Sequence, residues 1–282
     1  MDTGSFIPRD EAARTTIKDL AKKYREELLP KQRGQRQEDS RLKAAEKKFG
    51  NFNLSAVTPA MVAAWRDELS KSLAPQTVQH YLAVLNRLYK AATRDFGIPL
   101  PLGNPVATVR TPTVSNARER RLEGDEEKRL LAALDASRGK HLKSVALLAL
   151  ETAMRRGELL ALRWEHVDLK RRVVHLPETK NGSSRDVPLS SRAVSVLEEL
   201  PRNISGRVFS TSETAITEGF QRAIARAGIT DFRFHDLRHE ATSRLAEKLQ
   251  MHELARVTGH KAVRMLLRYY HPRAEDLAKK LG

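Results

Sequence analysis

Cysteine is absent from the sequence, which removes disulfides and thiolate metal sites from consideration and suits a reducing compartment. Long apolar runs are missing too. The longest, around Val145–Leu150, falls far short of the ~20 residues a membrane-spanning helix needs. Residues Met1–Asp10 lack the apolar core of a signal peptide. There is no internal repeat, no low-complexity tract, no Walker A pattern and no Asp/Glu cluster of the two-metal type. These absences predict a soluble, cytoplasmic protein with no membrane partner, no metal and no cofactor.

What is abundant is positive charge. The chain of 282 residues holds 51 Lys+Arg against 35 Asp+Glu, a formal net charge of +16. Residues 1–110 carry 19 of the basic and 12 of the acidic groups, so the excess runs through the whole chain and is not a tail. Such a surface suits a long anionic partner, nucleic acid above all. A basic soluble protein without such a partner is the plainer alternative.

Apolar spacing divides the chain in two. Residues 1–14 show no periodic pattern and read as a mobile lead-in. Residues 15–98 carry four helical patterns: Thr16–Leu29 closed by Pro30, a densely charged stretch from Gln35 to Phe49, a helix opened by Thr58 and Pro59, and one from Pro75 to Phe96 stopped by Gly97. Residues 99–121 contain Pro99, Pro101, Pro105 and Pro112, which predict an extended interdomain linker. Residues 122–282 form the second domain. Its helical patterns fall at Asp125–Ala136, His141–Ala153, Gly157–Leu162, Ser191–Leu200, Glu213–Ala227, His235–Leu249, Met251–Val257 and Val263–His271. Arg172–Leu176 and Arg185–Leu189 read as two strands around Thr179-Lys180-Asn181-Gly182, a hairpin with an Asn-Gly turn signal. The fold class expected is mainly α, with one small β-hairpin.

Four segments of the second domain carry chemistry-bearing residues in a fixed order. They are Thr152-Ala153-Met154-Arg155-Arg156-Gly157-Glu158; Lys180 with Arg185-Asp186-Val187-Pro188-Leu189; His235-Asp236-Leu237-Arg238-His239; and Gly259-His260 followed by Tyr269-Tyr270-His271. In order, spacing and residue type this set resembles the tyrosine recombinase (phage integrase) family across residues 120–282. The preceding four helices are similar in layout to that family's core-binding, SAM-like domain. Within the family, Trp164-Glu165-His166-Val167-Asp168 and Pro177-Glu178-Thr179-Lys180-Asn181-Gly182 look most like shufflon-specific DNA invertases.

The resemblance implies a tyrosine recombinase fold and a set of roles. Arg155 and Arg238 stabilise the charge that builds on a phosphodiester under attack, a task suited to a planar guanidinium that stays charged. Lys180 protonates the departing 5′ oxygen, His235 reaches the same phosphate beside Arg238, and His260 hydrogen-bonds to it. Tyr269 is the nucleophile. A 3′-phosphotyrosine keeps the energy of the broken bond, so rejoining requires no ATP. Glu158, three residues after Arg155, would hold that guanidinium in place. Taken singly, each residue has a plainer reading: a salt-bridging Arg, a solvated loop Lys, a capping His, a core Tyr.

The resemblance further implies double-stranded DNA as partner, a homo-tetramer on two sites working through a Holliday junction, and an accessory DNA-bending protein in some systems. Inversion and phage-type integration or excision both fit, with the protein at the nucleoid. Two domains closing on duplex DNA are expected, with residues 273–281 as a helix able to dock on a neighbour. Three rivals compete. His235, His239 and His260 echo zinc-hydrolase spacing, but Asp236 stands where a metalloprotease has Glu, and Arg238 would lie beside the metal. A type IB topoisomerase uses the same chemistry. A non-catalytic DNA-binding regulator would have lost one of the six residues, and none is lost.

Overall fold

The computed structural model describes residues 11–32, 34–114, 118, 120–177, 184–202 and 204–270. The chain forms two compact units, Met1–Ala117 and Arg118–Gly282. The first holds α1 (Glu11–Arg14), α2 (Ile17–Glu27), α3 (Gln35–Phe49), α4 (Pro59–Ser70) and α5 (Pro75–Arg94). Thr16 opens α2: its hydroxyl oxygen accepts from the Asp19 amide, and the Asp19 carboxylate accepts from the Thr16 amide. Thr58 and Pro59 open α4, the hydroxyl accepting from the Met61 amide. Along α5 the buried set Val78, Leu82, Leu85, Leu88 and Tyr89 forms the stripe that closes this core. Phe49, Trp65 and Tyr81 meet edge to face across three helices, with centroids 5.3 and 6.1 Å apart.

Two features go beyond what the apolar spacing shows. Residues 11–14 form α1, which buries Ala12 in the first core; two alanines in four residues give no period to read. The proline-rich stretch from residue 99 packs onto the first unit: Val106 is buried, Leu100 and Val109 lie against the same core, and Gln79 donates to the Pro112 carbonyl at 2.7 Å.

The second unit contains α6 (Glu126–Asp135), α7 (Leu142–Thr152), α8 (Arg156–Leu160), β1 (Val167–Asp168), β2 (Val173–Leu176), β3 (Arg185–Pro188), α9 (Ser191–Glu198), α10 (Glu213–Arg226), α11 (Phe234–Ala246) and α12 (Met251–Thr258). α7 is apolar nearly all round, as a central helix must be, and packs on α6, α8, α9, α10 and α11. The strands form one antiparallel sheet in the order β1-β2-β3, with Val174 opposite Val187 and Leu176 opposite Arg185. The expected hairpin is therefore present, joined by a third strand that two residues of sequence could not announce. Its turn, with Lys180, lies outside the described residues.

The expected helix over Val263–His271 is not formed. Val263–Met265 and Leu267–Tyr269 are separate 3-10 turns, closed by bonds such as Tyr269 N–H to the Leu266 carbonyl at 2.8 Å. The tighter pitch breaks the four-residue stripe: Leu266 is buried while Leu267 is 53% exposed. Leu266, Tyr269 and Tyr270 pack with Ala246 and Leu254 in a small cluster against α11 and α12. No described helix is long and apolar enough to cross a membrane.

Candidate functional site

Two helices of the second unit end where the site begins. α7 stops at Ala153 and α12 at Gly259, both in the left-handed region at φ 52° and 71°. Their last carbonyls, the negative ends of the helix dipoles, point at one group. The Arg238 guanidinium donates to the Ala153 carbonyl and, at 2.7 Å, to the Thr258 carbonyl. Arg238 is 6% exposed and makes no hydrogen bond to a carboxylate among the described residues. Burial lowers its pKa to about 10, and the like charge of Arg155 adds to the fall. An anion bound here would be stabilised by a cation that the protein does not itself neutralise.

Arg155 is the N-cap of α8 and Glu158 its third residue. The Glu158 carboxylate accepts from the Arg155 amide at 2.8 Å and from the Arg155 guanidinium at 2.8 Å. The expected bracing of Arg155 by Glu158 is thus seen. The neighbouring arginine is engaged elsewhere: Arg156 turns to Thr217 at 2.6 Å and to Glu213 on α10.

A second arginine on Glu158 was not anticipated. Arg185 donates to both carboxylate oxygens at 3.0 and 2.7 Å, and its Nε donates to the Val257 carbonyl at 2.9 Å. Alternation along β3 puts Arg185 on the inner face with Val187. An inward arginine in a strand requires a buried acid, and that was the available signal. Burial pushes the Glu158 carboxyl upward, but the hydrogen bonds from Arg185 and Arg155 outweigh it and hold the pKa at about 2.

His235, Arg238 and His239 fall at i, i+3 and i+4 on α11, while Leu237 is buried in the core. Asp236 caps the helix by accepting from the Arg233 amide at 2.7 Å and ion-pairs with Arg118 at 2.8 Å. His235 reaches solvent, yet enough protein surrounds it for desolvation, with Arg238 adding, to lower its pKa. His260 follows the turn at Gly259, its Nδ1 2.6 Å from the Thr258 hydroxyl. Burial, then Arg238 and Arg155, bring its pKa to about 4. Gly259 is needed twice: for its positive φ, and because a Cβ there would stand 3.0 Å from the Arg185 guanidinium.

Tyr269 completes the group. Its hydroxyl hydrogen-bonds to His239 Nδ1, and its ring lies 5.8 Å from the His239 ring. The structure therefore brings together five of the six residues singled out in the sequence: Arg155, His235, Arg238, His260 and Tyr269. Lys180 lies outside the described residues. Arg185 and His239 are the two that sequence reasoning missed as members of the site. Among the described residues no group of three or more His, Cys, Asp or Glu is placed to hold a metal ion, and His239 points its Nδ1 at a phenol instead.

Comparison with known proteins bears on this arrangement. Residues 120–276 match the model of the phage integrase family. The chain is 44% identical over 241 residues to the shufflon-specific DNA recombinase of Escherichia coli, a match spanning 81% of this chain and 62% of that protein. It is 30% identical to a putative integrase/recombinase of Haemophilus influenzae, over 99% of this chain and 77% of that one. In fold it superposes on lambda integrase, solved as a tetramer bound to a Holliday junction, with a TM-score of 0.76 at 19% identity, over 92% of this chain and 78% of that one. A mainly helical chain with one small sheet, folded as these integrases are and carrying the likeness to a shufflon recombinase that its motifs announced, belongs to the phage integrase family of tyrosine recombinases.

Proposed function

We propose that the chain is a site-specific DNA strand transferase that cuts and rejoins duplex DNA through a 3′-phosphotyrosine on Tyr269. The observation that supports this reading best is the convergence of Arg155, Arg238, His260 and the Tyr269 hydroxyl on one another, with the guanidinium of Arg238 held by two helix ends and no carboxylate. Two guanidiniums held close together repel unless an anion joins them, and a phosphodiester under attack supplies the anion.

In this reading the Tyr269 oxygen attacks phosphorus and displaces the 5′ oxygen. Arg155 and Arg238 each present N–H donors to the non-bridging oxygens as their charge grows. Glu158 fixes Arg155, so its geometry is set before DNA arrives. The Thr258 hydroxyl donates to the Leu254 carbonyl at 2.6 Å and so accepts from His260 Nδ1, which holds the ring with Nε2 free to meet the phosphate. His235 adds a further donor to the phosphate, and Lys180 protonates the leaving oxygen. Double-stranded DNA is the partner, gripped by both units, with four protomers on two sites exchanging strands in pairs.

Inversion between repeats is the outcome proposed here, on the likeness to a shufflon recombinase. The test is a supercoiled plasmid carrying two inverted copies of a site that the protein itself selects from a random duplex pool. The segment between the sites should invert without ATP. Relaxation of plasmids with no site, and no inversion, would instead identify a type IB topoisomerase.

A further inference from the structure

We infer that His239 takes the phenolic proton from Tyr269 as that oxygen attacks the phosphodiester. The inference rests on the strand-transfer reading and adds to it a residue to which that reading gave no part. Three observations carry it. The first is direct contact: His239 Nδ1 hydrogen-bonds to the Tyr269 hydroxyl, and the two rings lie at 30° with centroids 5.8 Å apart. The second is the engagement of the neighbouring groups. His260 Nδ1 is held by Thr258, and Glu158 is shared between Arg155 and Arg185. The third is rigidity. His239 follows Arg238, which is pinned by two carbonyls, in the middle of α11, so the backbone that carries the imidazole is fixed.

The charge around His239 agrees with an acceptor. His235, Asp236 and Arg238 face it from its own helix, Arg268 and Tyr269 from the C-terminal turn, and His260 from the turn after α12. Burial, followed by His235 and Arg268, brings its pKa to about 4. The ring is therefore neutral at pH 7, and with hydrogen on Nε2 it presents a lone pair at Nδ1. A base this weak would be a poor one in isolation. Phosphate bound between Arg155 and Arg238 adds negative charge beside it and strengthens it when the substrate is present.

The Tyr269 hydroxyl proton moves to His239 Nδ1 while the tyrosine oxygen forms its bond to phosphorus. The bond from phosphorus to the 5′ oxygen breaks, that oxygen keeps the electron pair, and Lys180 supplies its proton. In rejoining, the 5′ hydroxyl attacks phosphorus and gives its proton back to Lys180, the bond from phosphorus to the tyrosine oxygen breaks, and the His239 imidazolium returns the proton to that oxygen.

The test is single-turnover cleavage of a nicked suicide duplex carrying the selected site, followed as covalent adduct from about pH 6 to pH 9. His239→Asn keeps a hydrogen-bond acceptor near the position of Nδ1 but cannot take a proton. At pH 7 it should cleave about 100-fold more slowly or worse, while binding the uncleaved site as well as the unaltered chain does. Its rate should climb about tenfold per pH unit, as the phenol must ionise unaided, where the unaltered chain is nearly level. His239→Gly should regain activity in added imidazole. A His239→Asn chain whose pH profile matches the unaltered one, or that cleaves faster, overturns the inference alone. An unaltered chain that forms no adduct at any pH removes the strand-transfer reading as well.

Discussion

Glu158 is the residue on which the charge of the site turns. It is a buried carboxylate serving two guanidiniums and a backbone amide, and breaking such a group by removing one partner is costly because the others stay buried and unpaired. Its pKa falls from an ordinary 4.5 to about 2. A lowered carboxylate pKa contributes stability that is present above the unfolded value and lost as pH drops through the folded one. The contribution is on the order of 3 kcal/mol, and it should disappear between about pH 4.5 and 2. Denaturant unfolding of the chain and of Glu158→Gln across that window measures it. Glu158→Gln should be less stable at pH 7 and lose less on acidification, so the two curves converge toward pH 2. Parallel curves would show that the carboxylate charge does not stabilise the fold.

At the scale of elements, the site is made by helix ends. α7 and α12 stop in left-handed residues and turn their last carbonyls onto Arg238. Gly259→Ala should cost about 1–2 kcal/mol through its backbone alone, and more from crowding Arg185. Thermal melting reads the loss, and cleavage should fall further than stability because His260 and Arg185 move together. A variant with unchanged melting and cleavage would mean that the turn tolerates a side chain. The helices of both units were legible because their apolar periods are long and their starts are marked by Thr16, Thr58, Ser190 and Ser212. The motif on α11 was legible because i, i+3 and i+4 spacing fixes a face wherever the helix packs. The segment after Gly259 was not: nine residues give too few apolar positions to separate an α period from 3-10 turns. Arg185 stands within a recognisable motif, but its partner lies 27 positions away, and no local pattern links a strand to a helix cap. His239 was passed over for the same reason, since its contact with Tyr269 spans 30 positions.

For the whole molecule, the charge of +16 spread over both units implies binding dominated by phosphate contacts. Affinity for the selected site should fall by about 10³-fold or more between 50 and 200 mM salt if six or more phosphates are engaged. An isotherm that barely moves over that range would remove the duplex as the ligand. Each unit has its own apolar core, so residues 118–282 expressed alone should fold cooperatively but bind the site more weakly than the full chain. The central claim, that this basic chain becomes covalently joined to DNA through one particular phenol, is tested most directly by trapping the joint. Tyr269 and Tyr270 are adjacent and both half-buried against the same small cluster, but the hydroxyl of Tyr269 is the one hydrogen-bonded to His239 beside Arg238. A nicked suicide duplex, a denaturing gel and peptide mapping of the adduct identify the attached residue. The DNA should map to Tyr269, Tyr269→Phe should abolish the adduct while leaving site binding nearly intact, and Tyr270→Phe should still form it. An adduct that survives Tyr269→Phe and vanishes with Tyr270→Phe would contradict the claim.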